Sequence, residues 1–167
     1  MSERISLWKK SLILSALAVV TVLIFSAVPV SAAEPNAQNP VPPTVPTALT
    51  PAELSALTPQ EKIARAEALS AAATFKATQA LETGDLALAQ EAQALANEAT
   101  SLISSVADAA AATDNAELAQ AALNASVGIG ETLGIIAGAA EVIAATSTDP
   151  ETVAAATSLN ASATASQ

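Results

Sequence analysis

A chain of 167 residues with a formal net charge of −10 and no cysteine is of single-domain length and has no disulfide framework. Beyond residue 33 it contains no His, Cys, Tyr, Trp or Met, and its one aromatic there is Phe75. That removes zinc sites built on His and Cys, His- or Cys-based nucleophilic catalysis, and aromatic platforms for bases or flat cofactors. No catalytic, cofactor-binding or metal-ligating residue is therefore assigned.

Residues 1–33 read as a secretory signal peptide. Arg4, Lys9 and Lys10 form a basic start, an apolar run covers residues 12–28, and Pro29 breaks it ahead of "VSAAEP" with its small residues. The alternative is an uncleaved anchor, because the apolar run is nearly long enough to span a bilayer. Pro29 and the small residues favour cleavage, and export to the periplasm or the extracellular space. Removing the leader leaves Lys62, Arg65 and Lys76 against 15 acids, a formal net charge of −12. Nucleic acid is excluded as a partner, since phosphate contact needs Lys and Arg. Membrane contact is expected only through the N-terminal segment, if that is retained.

Residues 34–49, "EPNAQNPVPPTVPTAL", carry Pro35, Pro40, Pro42, Pro43 and Pro46. Such a stretch is an extended, semi-rigid linker. A run of helix-start signals follows. "TPAE" at 50–53 and "TPQE" at 58–61 each combine a capping Thr, Pro at the first helical position and Glu at the third. Gly84–Asp85 reads as a helix stop followed by a new cap. "DNAE" at 114–117 and "TDPE" at 148–151 repeat the capping chemistry, so Asp85, Asp114 and Asp149 read as caps rather than metal ligands.

These signals divide residues 50–160 into a short lead helix near 51–57 and helices near 59–82, 86–112, 115–146 and 150–158. Residues 161–167, "ASATASQ", read as a disordered tail. Nothing reads as a strand. The fold expected is all-α: a small Ala-rich antiparallel bundle of three long helices with short flanking helices. A weak likeness between residues 86–95 and 116–125 is explained by shared helix-start chemistry and marks no repeat family.

In the second long helix Leu88, Ala92, Leu95, Ala99, Leu102, Val106 and Ala109 form a heptad seam, with Gln90, Glu91, Gln93, Asn97, Glu98 and Ser101 off it. In the third, Leu118, Ala122, Ala125, Ile129, Thr132, Ile136, Ala139 and Ile143 keep the same spacing. The first is less regular: Ile63, Ala66, Ala73, Ala77 and Leu81 form a face diluted by Ser70 and Thr74. Glu61 and Arg65 have the i,i+4 spacing of a surface ion pair. A core of this kind is thin, because a buried Ala contributes much less area than a buried Leu or Phe.

The most distinctive stretch is "VGIGETLGIIAG" at residues 127–138, which holds four of the five glycines. Each interior glycine costs about 1 kcal/mol relative to Ala in a helix. Yet the seam keeps phase from Leu118 to Ile143, which favours one continuous helix. Gly130, Gly134 and Gly138 then form a row about 120–200° from the seam centre at Ile136. Such a row lets a further helix approach closely, whether from the same chain, a second copy or a membrane partner. Glu131 and Glu141 argue against lipid.

The residues name no substrate. The reading they support is an exported, non-enzymatic helical protein acting as a structural or interaction module, open to self-association or a protein partner through Gly130, Gly134 and Gly138. The alternatives are a membrane-active helical protein oligomerising through the same row and, last, a carboxylate-dependent enzyme.

Overall fold

A computed structural model describes residues 42–167. The expected signal peptide at 1–33 and the first part of the expected linker, 34–41, lie outside the described residues. Residues 42–50 carry no regular element, and five helices follow among the described residues: α1 Pro51–Ala56, α2 Pro59–Thr83, α3 Leu86–Ala112, α4 Ala116–Thr146 and α5 Pro150–Ala165. No strand occurs among the described residues.

Local chemistry sets nearly every boundary. Thr50 and Thr58 each close a full capping box. The Glu53 N–H donates to Thr50 Oγ1 at 3.3 Å while the Thr50 N–H donates to Glu53 Oε2 at 2.8 Å. Glu61 and Thr58 repeat both bonds at the same lengths. At the end of α2, Gly84 takes the left-handed conformation (φ 72°) and its N–H closes on the Ala80 carbonyl. A side chain is disfavoured there, so glycine is the natural stop. Asp85 and Asp149 cap α3 and α5 through the N–H groups of Ala87 and Thr152.

The α3–α4 turn departs from expectation. The cap of α4 is Asn115, whose Oδ1 accepts from the Leu118 N–H at 3.0 Å. Asp114 instead occupies the left-handed region (φ 50°). The chain must reverse within three residues, and Asp is among the few non-glycine residues that tolerate that conformation.

α2, α3 and α4 pack against one another in all three pairings, and α5 packs mainly on α4 with a smaller contact to α3. Arg65 pairs with Glu98 and Lys76 with Glu91. Residue numbers rise along α2 as they fall along α3, so these helices run in opposite directions. Arg65 donates from both Nε (3.1 Å) and Nη2 (2.8 Å) to Glu98 Oε1. The Glu61–Arg65 pair read from spacing does not form, because the capping box draws Glu61 back to Thr58.

All eight seam positions of α4 are buried. The helix is continuous through Gly128 and Gly130, as the unbroken phase of that seam favours. α3 buries a face displaced from its expected seam: Ala92, Ala99, Leu102 and Val106 are buried together with Ala89, Gln93, Ala96, Ile103 and Ala110, while Leu88, Leu95 and Ala109 are only half-buried. It has neighbours on three sides, whereas a heptad seam serves one. Gln93, expected off the seam, is only 5 % exposed. In α2, Leu69 and Ala80 join the core while Leu81 is 43 % exposed. The expected tail is also corrected, because α5 runs to Ala165 and Ala163 is fully buried. Ala156, Leu159 and Ala163 form one apolar stripe at i, i+3 and i+7, and nothing between them stops the helix.

Sixteen of the 26 buried apolar residues are alanine. Such small side chains permit close backbone approach, toward the short end of the roughly 8–10 Å interhelical range.

Candidate functional site

Two polar features lie inside the bundle. Thr132, 2 % exposed, sits where α4 faces α2. Its hydroxyl is within 2.8 Å of Ser70 Oγ and 2.9 Å of Thr74 Oγ1, and it donates to the Gly128 carbonyl at 3.0 Å. A hydroxyl has one proton and two lone pairs, so Thr132 donates to Gly128 and accepts from both Ser70 and Thr74. The two residues that diluted the α2 face thus both donate to Thr132 across the interface. This network is closed and has no free group for chemistry. Gln93 is different. Its Nε2 donates to Asn97 Oδ1 at 2.8 Å, but its Oε1 is buried without a partner. Gln93 does not line the groove between α3 and α4.

The acids are dispersed. Among the described residues, no three His, Cys, Asp or Glu side chains come together as a metal site would require. The three carboxylates with displaced pKa values are caps. Glu53 is lowered chiefly by the Thr50 backbone N–H, Glu61 by the Thr58 hydroxyl and Asp149 by the Thr152 hydroxyl. Each is held in its charged form by hydrogen bonds to a helix start, which is a structural role.

The feature with the shape of a binding site lies between α3 and α4. A groove of about 570 Å³ is lined by Ile103, Ala107 and Ala110 from α3 and by Ala119, Leu123 and Gly130 from α4. Ser166 and Gln167, the two residues beyond α5, also line it. Asp114 is the one charged side chain in the lining. Leu123 and Val127 stand on α4 at 57 % and 58 % exposure, the highest values among the large apolar residues exposed in the described region.

The glycine row meets this groove at one end. At Gly128, Gly130 and Gly138 no neighbouring atom lies within 4 Å of the position a Cβ would take, and at Gly134 the nearest is Gln167 Nε2 at 4.0 Å. Within the described residues, then, no helix lies close against Gly130 or Gly138. The structure brings Gly130 to the groove, places Gly134 beside Gln167, and leaves Gly138 outside the groove lining. Sequence reasoning missed the groove itself. Leu123 and Val127 were visible as apolar residues off the seam, and that was the available signal.

α4 is also long and apolar enough to cross a membrane by length and composition, with a mean hydropathy of 1.6 over its most apolar stretch. The core helix of a packed bundle has the same composition. No family model matches the chain, and no curated protein or solved structure shows significant similarity to it.

Proposed function

We propose that this chain is an exported, non-enzymatic helical protein that works as an interaction module. In this reading a signal peptide and a Pro-rich linker precede a small Ala-rich antiparallel bundle, and the groove between α3 and α4 is its binding face. The groove carries the reading: it is mostly apolar with small polar residues among its lining, has a single charged side chain, opens beside two exposed large apolar residues, and is bordered by a glycine that lets a backbone approach. An apolar surface left exposed beside a concave seat is the usual mark of a protein contact. Its small residues suit a helix, which docks through a stripe of side chains in such a seat.

The test is site-specific photo-cross-linking in the producing cell, with a reactive residue at Ser126 beside the groove or at the exposed Thr78 on α2. A protein adduct from position 126 and none from 78 supports the reading. No adduct from 126 contradicts it. Export is checked by N-terminal sequencing of the recovered chain, which should begin near Glu34; a retained Met1 contradicts cleavage.

The second reading, a membrane-active protein oligomerising through Gly130, Gly134 and Gly138, draws on the hydropathy of α4. It requires the bundle to open, since the α4 seam is buried against its neighbours. Flotation with liposomes tests it, and failure to partition ends it.

A further inference from the structure

We propose that the occupant of the groove is a second copy of this chain, seated with the two α4 helices antiparallel about a two-fold axis between Ser126 and Val127. The inference rests on the reading of the groove as a binding face and names its partner.

The first argument is continuity with a contact the chain already makes. α5 packs on α4 and touches α3, the same two helices that line the groove, and Ser166 and Gln167 form part of the groove wall. The groove thus begins where α5 stops. α4 has 31 residues and α5 has 16, or about 46 Å against about 24 Å of helix. Roughly 20 Å of α4 is left without the cover that α5 gives the rest. A helix of this chain already covers the adjoining length of α4.

The second argument is self-complementarity. A two-fold contact needs a ridge and a hollow on the same face, so that each copy supplies what the other lacks. Here the ridge is Leu123 and Val127, about 40° apart round α4, and the hollow lies beside it. An axis between Ser126 and Val127 sets Leu123 of each copy opposite Gly130 of the other, because the two residues are equidistant from it. At Gly130 a Cβ would meet nothing within 4 Å. The backbone is therefore open to an incoming leucine.

The third argument is charge. With a net charge of −12 once residues 1–33 are removed, two copies meet most favourably on a face that does not set acid against acid. Glu131 and Glu117 lie about 80° and 120° round α4 from Leu123, on the side away from the groove. Asp114 is the one acidic side chain in the groove lining, at its turn end. The face between Ala119 and Gly130 is neutral.

The test uses the absence of native cysteine. In the full chain, Ser126→Cys places a thiol next to the axis, and Thr78→Cys places one on an exposed position of α2. Mild oxidation should give a disulfide-linked dimer for Ser126→Cys and little for Thr78→Cys. Adding Leu123→Glu or Gly130→Leu should abolish that selectivity and weaken association by about tenfold or more in light scattering. Leu123 is more than half exposed, so helical circular dichroism should survive Leu123→Glu; Gly130→Leu serves as the independent second variant. Equal linkage at both positions would mean association through another surface, and a monomer with no linkage would mean none; either overturns the proposal. A photo-adduct from Ser126 with a different protein also overturns it while the interaction-module reading stands. No adduct of any kind removes both.

Discussion

At the scale of single residues, the chemistry of helix starts was the most legible part of the chain. Thr50 with Glu53, Thr58 with Glu61, and Asp149 before Thr152 act as their spacing implies, because a cap depends on three or four consecutive residues and on nothing distant. Their carboxylates are lowered from ordinary values of 4.5 for Glu and 3.8 for Asp. A depressed folded-state pKa contributes stability that is fully present above the unfolded value and is lost as pH falls through the folded one. Thermal melts followed by circular dichroism should therefore show stability declining below about pH 4.5, the unfolded Glu value. Glu61→Gln should show a shallower decline; an unchanged slope would remove Glu61 from that account.

Contacts between helices were less legible at this scale, since they depend on which elements meet. Glu61 and Arg65 have the spacing of a pair, yet each is claimed elsewhere. Gln93 sits among polar residues on the sequence, and only the packing of α2 and α4 around α3 shows it to be buried. Its unpartnered Oε1 loses hydration with no return. Gln93→Leu should raise stability by about 1 kcal/mol in urea titration, since Asn97 is exposed and can bond to water. A destabilised variant would indicate an unrecognised partner for that oxygen.

At the scale of elements, α4 concentrates what is unusual. Its eight seam residues were readable because their periodicity runs unbroken for seven turns, and that same periodicity carried the helix through its glycines. Those glycines are not required by the fold at Gly128 or Gly138, where a methyl group would touch nothing and the backbone is ordinary helix. Gly128→Ala and Gly138→Ala should each stabilise the chain by about 0.5–1 kcal/mol. Destabilisation would show that something lies against them in solution. Thr132 works in the opposite sense. Replacing it with Val leaves Ser70 and Thr74 without their shared acceptor, at a cost of about 1–2 kcal/mol. Thr132→Ser should cost little. Equal losses for the two would point to packing, rather than the hydroxyl, as the source.

At the scale of the whole molecule, the all-helical fold was legible from short connections between long apolar stripes. The groove was not, because it depends on two lengths read together: how far α4 extends and where α5 stops. The small, polar composition after Ala161 hid the last turns of α5, and the buried Ala163 at the end of its stripe was the signal that could have placed them. A core of mostly alanine buries little apolar area per residue, so covering the face left open beside α5 would add to what the bundle buries. On this account the face is covered in the working state of the protein. The direct test is the rate at which a maleimide labels Ser126→Cys, compared with Thr78→Cys, in the producing cells and again after purification and dilution. The account predicts that Ser126→Cys is selectively protected in cells and becomes reactive on dilution, while Thr78→Cys is labelled readily in both. Equal labelling of the two positions in cells would contradict it.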